Sequence, residues 1–233
     1  MMVSKGIEDI DIRMPRDAYN TGNDIPTFNA YLTAIVRDSE GKVVKVHRQR
    51  SRSPTANFIL LMLPLIYFTN TASSVTITNT GNSTFSYQPG IGARDQTISY
   101  PNSSLFRPTY LAMIQVGSGS QSNPYKAYSL AAPIANGSGA GQLIYGTVSI
   151  PSNIIVSGSS ASFYISQAYT NSSGGTITIT EVGIILYITL TSAYGTDVTT
   201  IGNVLVWYDV PSSPISVPNG GSVVIYYTFT VNP

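Results

Sequence analysis

Residues able to do nucleophilic or acid–base chemistry are few in this sequence. The chain contains one His, His47, and no Cys. Disulfides, thiol catalysis, thiolate metal sites and multi-His metal sites are therefore excluded. A Ser-His-Asp triad would have to use His47, which lies between Val46 and Arg48 at a predicted strand end, and no G-x-S-x-G motif is present. We interpret His47 as an ordinary exposed or half-buried histidine.

Carboxylate chemistry would depend on Glu181 and Asp209, because residues 59–233 contain only four acidic residues. Glu181 lies in Ile-Thr-Glu-Val-Gly, where a single inward- or turn-facing carboxylate is typical of a structural role, and glycoside hydrolysis needs a pair. The Gly117-Ser-Gly-Ser loop is followed by no predicted helix and no Lys-Ser or Lys-Thr, so it is not a phosphate-binding loop. No Asp cluster has the spacing of a calcium loop. We therefore predict no enzyme activity and no cofactor.

Charge is concentrated near the N terminus. Residues 1–58 contain nine of the 12 Lys and Arg residues and seven of the 11 Asp and Glu residues. A basic stretch could contact nucleic acid or an acidic partner, or it could be a solvated strand end balanced by nearby acids. Its five cations are Lys42, Lys45, Arg48, Arg50 and Arg52. The net charge of +1 argues against binding of nucleic acid through the overall field.

Residues 1–28 are predicted to form an N-terminal arm, interrupted by Gly and Pro. Within it, Ile10-Asp-Ile-Arg-Met14 alternates apolar and polar residues, as a strand does. Five residues cannot form a sheet alone, so this candidate donor strand would pair with a sheet edge of its own chain or of a neighbour. The alternative is a solvated terminus.

If the arm pairs with a neighbour, the acidic segment Glu8-Asp9-Ile-Asp11 of one subunit would lie on the basic stretch of the next. Apolar arm residues would enter a groove beside it. The predicted subunit interface therefore consists of Ile7, Ile10, Ile12 and Met14 together with Lys42, Lys45, Arg48, Arg50 and Arg52.

Residues 29–233 are predicted to form one all-β domain, an antiparallel β-sandwich of jelly-roll or Greek-key type with one short helix. A hairpin is expected over 30–48, and a helix over 54–63, with Ser53 as the N-cap, Pro54 at the first helical position and Pro64 ending it. Nine later segments rich in Val, Ile, Thr and Tyr are separated by turn-forming residues. These predicted strands are 75–78, 84–87, 110–116, 143–150, 162–169, 176–181, 183–190, 204–210 and 223–231.

Two of these strands, 183–190 and the last one, which extends over 222–231, are apolar on both faces. Each should therefore be central in its sheet or covered by another subunit. The longest apolar run, 58–68, is too short to cross a bilayer, and the start of the sequence lacks the apolar segment of a secretory signal. We expect a protein made in a cytoplasm without a membrane span.

Four Asn-x-Ser/Thr sequons lie in predicted loops and are candidate glycosylation sites. In a chain rich in Ser, Thr and Asn, several such sequons arise by chance. The four are Asn82, Asn102, Asn136 and Asn171.

Three loop and strand stretches, residues 114–133, 162–183 and 210–231, resemble β-rich structural proteins of tailed phages and of viruses of thermophilic archaea. Ser51-Arg-Ser before the apolar helix belongs to the same resemblance, which spans residues 30–231. The resemblance implies a virion component, such as a capsid, tail or surface-filament subunit. Such a protein would assemble in the host cytoplasm and work outside the cell.

These observations favour a viral structural protein that forms a homo-oligomer or polymer, in a filament or a shell. Two alternatives stay open. One is a receptor- or glycan-binding module of a tail fibre, in which Tyr100, Tyr125 and Tyr128 would stack on sugars of a host cell surface. The other is a cellular pilus or surface-layer subunit.

Overall fold

The computed structural model describes residues 27–51, 53–66, 75–87, 112–150, 154–191 and 198–232. These residues form mostly antiparallel strands with one α-helix, which confirms the all-β prediction. The elements are β1 (Thr27–Arg37), β2 (Val43–Ser51), α1 (Ala56–Ile66), β3 (Val75–Thr78), β4 (Thr84–Tyr87), β5 (Ala112–Gly117), a short 3₁₀ helix (Pro124–Lys126), β6 (Ile144–Ser149), β7 (Ile155–Ser157), β8 (Ser160–Thr170), β9 (Ile177–Ile179), β10 (Glu181–Thr191), β11 (Val198–Asp209), β12 (Ile215–Val217) and β13 (Ser222–Asn232).

The predicted arm lies outside the described residues, apart from its last two positions. Thr27 and Phe28 belong to β1 and pair with Asn232 and Val231 of β13. The boundary expected at residue 28 therefore falls inside β1.

The largest sheet, which we call sheet A, has the strand order β2-β1-β13-β8-β6, and β7 also pairs with β8. Alternate residues of its strands point to one side and are buried there, as the period of two in a strand requires. Leu32 on β1, Ile225 on β13 and Tyr169 on β8 are all fully buried on this inner face. Among the described strands, β2 lies at one edge of this sheet.

The second sheet, sheet B, has the order β11-β10-β5, and β12–β9 and β3–β4 form two short pairs. Inward residues of sheet A and sheet B belong to one hydrophobic core, to which Ile114 and Val206 contribute from sheet B. Trp207 on β11 also packs edge-on against Phe229 on β13, with 5.3 Å between ring centroids. The two sheets therefore face each other across a shared core.

Buried tyrosines also join the sheets by hydrogen bonds. The Tyr169 hydroxyl donates to the Ile114 carbonyl at 2.6 Å, and the Tyr227 hydroxyl donates to the Val182 carbonyl at 3.3 Å. Burial raises the pKa of both phenols well above the ordinary value, because ionisation would place a charge in the core. Both side chains therefore act as neutral donors.

The helix differs from its prediction at both ends. It begins at Ala56 because residues before it pair with β11: the Thr55 N–H donates to the Val206 carbonyl, and the Thr55 hydroxyl donates to the Leu205 carbonyl. The helix also continues past Pro64 to Ile66. Pro64 lacks a backbone N–H, so the last turn of the helix has one hydrogen bond fewer, and the helix continues despite this. α1 has 11 residues, and the described part of the chain contains no helix that could cross a membrane.

Both strands with two apolar faces are central, as one of the two predicted alternatives requires. β13 lies between β1 and β8, and β10 lies between β11 and β5. The outer face of β10 is covered by the chain itself, since Ile185 packs with Ala127 and Leu130 in a second hydrophobic cluster. At Ile185 the outer face of β10 thus needs no partner subunit.

Candidate functional site

The chemistry-bearing side chains on β2 do not assemble into a triad. His47 is buried, so the expectation of an exposed or half-buried histidine is wrong: its ring nitrogens lie 3.0 Å from Gln49 Oε1 and 3.4 Å from Ser213 Oγ. The Ser51 hydroxyl donates directly to the buried Asp209 carboxylate and accepts from the Trp207 indole N–H. His47 and Ser51 are four residues apart on one strand, or about 13 Å. These contacts place the two side chains in separate structural hydrogen-bond networks.

Glu181 is fully buried at the start of β10, and the chain itself fills its hydrogen-bonding capacity. Oε1 accepts from the backbone N–H of Gly119 (3.2 Å) and of Ala132 (2.7 Å). Oε2 accepts from the Ala131 N–H (2.9 Å) and the Tyr208 hydroxyl (2.9 Å). The glycine-rich loop singled out in the sequence thus binds an internal carboxylate.

Gly117 is required for this arrangement. A Cβ at Gly117 would lie 2.4 Å from Glu181 Oε1 and 2.7 Å from the Ala132 carbonyl oxygen, closer than atoms can approach. The carboxylate therefore fastens residues 117–132 to sheet B. Burial, reinforced by the adjacent Glu181, raises the pKa of Tyr208 to about 12, so that phenol also stays neutral.

Glu181 and Asp209 cannot act as a carboxylate pair. Asp209 lies directly opposite Val182 in the register of β10 and β11, so these two side chains share a face. Glu181 precedes Val182 and points to the opposite face. Among the described residues, no group of three or more His, Asp or Glu side chains is placed to hold a metal ion.

The basic stretch is prominent in both the sequence and the structure. Lys45, Arg48 and Arg50 lie on β2, which is at the edge of sheet A among the described strands. Among the described strands, β2 pairs only with β1. Its exposed apolar side chains are Val43, Val44 and Val46, which are 41%, 53% and 60% exposed. An edge strand of this kind presents backbone donors and acceptors to any strand that approaches.

Three of the predicted basic residues have defined contacts. The Lys45 ammonium donates to the Pro214 carbonyl at 2.8 Å. The Arg48 guanidinium lies over the Tyr31 ring, 5.0 Å from its centroid, in a cation–π contact that holds it on the outer face. The Lys42 backbone N–H donates to Asp38 Oδ1 in the hairpin turn, and the Arg50 side chain is exposed.

Five predicted interface residues lie outside the described residues: Ile7, Ile10, Ile12, Met14 and Arg52. The strands of sheet A contain no Asp or Glu at all. The cations of β2 therefore have no carboxylate partner within their own sheet.

The sequons occupy different environments. Asn82 is exposed in the β3–β4 turn with φ +63°, a conformation that Asn tolerates, and Asn136 is exposed. Asn171 is fully buried, and its amide nitrogen donates to the Gly175 and Val217 carbonyls, each at 2.8 Å. That nitrogen is therefore inaccessible in the folded chain. Asn102 lies outside the described residues.

Sequence reasoning missed an aromatic surface on the outer face of sheet A. Tyr31, Tyr164 and Tyr226 alternate there with hydroxyl residues, and the Tyr164 and Tyr226 rings lie 6.0 Å apart. Their signal was present in the sequence, because each occupies the polar phase of a strand with period two. Of the loop tyrosines expected to bind sugars, Tyr125 is half-buried, Tyr128 is exposed and Tyr100 lies outside the described residues.

Comparison of the chain with protein-family models, with curated proteins and with solved structures gives no match. The resemblance to virion proteins stays a prediction.

Proposed function

We propose that this chain is a structural subunit that assembles with copies of itself into a virion filament or shell. The N-terminal arm of one copy adds as a strand to the sheet of the next. The observation that carries this proposal is the β2 edge: it pairs on one side only among the described strands, exposes apolar side chains and belongs to a sheet without carboxylates. The arm has the complementary pattern, with three acids and three apolar residues between Glu8 and Met14.

Strand addition of this kind is a head-to-tail contact. Because the donor and acceptor surfaces differ, each copy can bind two neighbours, and the assembly grows unless its rotation closes a ring. The proposed connectivity is that of a jelly-roll or Greek-key sandwich. Placement in a virion, outside the cell after assembly in a host cytoplasm, depends on the resemblance of the three quoted stretches.

Electron microscopy and sedimentation of the purified full-length chain test this function. We expect ordered filaments or shells. Removal of residues 1–26, which leaves β1 intact, should give dispersed monomers, and so should Ile10→Asp with Ile12→Asp in the full chain. Ala18→Asp with Thr21→Asp adds the same charge outside the alternating segment and should leave assembly unchanged. A full-length chain that stays monomeric at high concentration, or a truncated chain that assembles equally well, would refute the proposal.

A second candidate function is glycan binding by the outer face of sheet A. Tyr31, Tyr164 and Tyr226 provide aromatic surface there, and Arg48 and Arg50 are the adjacent cations. Flat aromatic side chains with nearby hydroxyls suit sugar rings. Glycan-array binding by the truncated monomer that is lost in Tyr226→Ala would support this candidate.

A further inference from the structure

The edge of β2 that no described strand covers has a regular pattern of side chains. From Val44 to Arg50 they alternate: Val44, Val46, Arg48 and Arg50 are exposed on the outer face, whereas His47 is buried on the inner face. An added strand would place its own alternate residues beside these two rows. The pattern therefore selects among possible strands and among registers of one strand.

Charge decides which strand fits. A second copy of β2 would bring Lys45, Arg48 and Arg50 beside the same cations, and like charges directly opposite one another are destabilising. An acidic strand would not be repelled by these cations. Sheet A itself contains no carboxylate that could pair with them. The segment from Glu8 to Asp11 holds three of the chain's 11 acidic residues.

We infer that residues 8–12 of one copy pair antiparallel with β2 of the next copy in a single register, an inference that rests on the proposed function. This register sets Ile12 against Val44 and Ile10 against Val46, and it sets Asp11 against Lys45 and Glu8 against Arg48. The fifth residue, Asp9, lies opposite His47, which is buried on the inner face.

Neighbouring registers are worse. Moving the arm by two residues in one direction sets Arg13 opposite Lys45, and moving it in the other sets Gly6 opposite Arg48. A parallel arrangement can keep Asp11 beside Lys45, but it places Arg13 beside His47. Opposite charges and apolar pairs across strands are each worth about 0.2–1 kcal/mol, so four favourable pairs specify one register.

Engineered cysteine pairs test the register in the full-length chain, which has no Cys of its own. Residues directly opposite in an antiparallel pair have Cα atoms about 4.5–5.5 Å apart, within disulfide range, whereas a shift of two residues separates them by about 8 Å. Ile10→Cys with Val46→Cys should therefore form a ladder of disulfide-linked oligomers. Ile10→Cys with Val44→Cys is the matched control, since Val44 lies on the same face with similar exposure, and it should not.

The outcomes separate this inference from the proposed function. A ladder from the Val44 pair alone, or equal ladders from both pairs, would overturn the register while assembly stands. Assembly without any ladder would overturn arm pairing at β2. A disulfide closed within one monomer would show that the arm folds back on its own chain, which refutes both proposals.

A charge exchange provides an independent readout. Arg48→Glu should raise the concentration needed for assembly about five-fold. Combining it with Glu8→Arg should restore assembly, because the facing pair again carries opposite charges. Glu40→Arg with Arg48→Glu, which changes an exposed acid in the hairpin turn, should not restore it. Failure of the Glu8 exchange with success of the Glu40 exchange would contradict the register.

Discussion

Truncation of Glu181 to alanine should be among the most damaging single substitutions in this chain. The side chain is fully buried and accepts four hydrogen bonds, three from backbone N–H groups and one from Tyr208. Hydrogen bonds to a charged acceptor contribute about 1.5–3 kcal/mol each. Water can replace the acceptor at the exposed Ala131 and Ala132, but not at the buried Tyr208 hydroxyl.

We therefore expect Glu181→Ala to lower the free energy of unfolding by about 3–5 kcal/mol. At this chain length the midpoint of thermal unfolding should fall by about 10 °C. Glu181→Gln keeps the shape of the side chain and one acceptor oxygen, but its amide N–H₂ group faces N–H and O–H donors. It should therefore lower the free energy of unfolding by about half as much as Glu181→Ala. The two substitutions together separate the loss of charge from the loss of volume.

Urea unfolding followed by fluorescence measures these effects directly, because Trp207 is the only Trp in the chain and is buried beside Phe58 and Phe229. Glu40→Ala removes an exposed carboxylate and should stay within about 0.5 kcal/mol of the parent. The truncated form lacking residues 1–26 should show the same loss of unfolding free energy, since the proposed assembly contact does not include residues 117–132. A cost below about 1 kcal/mol for Glu181→Ala would refute the account of Glu181 as the fastening of this segment.

Two further predictions concern the same core. Gly117→Ala should destabilise the fold by about 1–3 kcal/mol in the same unfolding assay, because its Cβ would overlap a buried carboxylate oxygen, whereas Gly175→Ala, with open space around it, should not. Burial raises the pKa of Tyr145 to about 12, so its neutral form stabilises the fold below about pH 10, and this contribution is lost as pH rises toward 12. Unfolding measured between pH 8 and 12 should show that loss, and Tyr145→Phe should make the decline shallower; an unchanged slope would contradict the assignment.

Local patterns predicted most of the fold. All nine later strands predicted from the sequence overlap strands in the structure, because alternation and turn residues are properties of short windows. β7 and β12, of three residues each, were not predicted. β9 is equally short but lies within the alternating run predicted over 176–181. The helix start was misplaced because Ser53 and Thr55 pair with β11, some 150 residues away in the chain.

The residues of the candidate site could be predicted from the sequence, but their position in the fold could not. The cluster of cations is visible in the sequence, but its position at a sheet edge depends on which strands pair with β1. The inner face of β2 is likewise covered by distant residues, since Pro214 accepts from Lys45 and the Ser212 N–H donates to Gln49 at 2.6 Å. No local pattern carries that information.

The fold also changes which observation supports assembly. Apolar residues on both faces of β10 left two alternatives, a central strand or one covered by a second subunit. β10 is central, and Ala127 and Leu130 of the same chain pack on its outer face at Ile185. β13 is flanked by β1 and β8, so its backbone needs no partner either. Among the described strands β7 also exposes apolar side chains, Ile155 and Val156, but the proposed contact is at the edge of β2, where Val44 and Val46 are more than half exposed. An added strand would bury Val44 and Val46, whose apolar surface the described residues of the chain leave exposed to solvent. Assembly should therefore respond to changes on the arm and on β2, and should be insensitive to conservative changes on the outer face of β10.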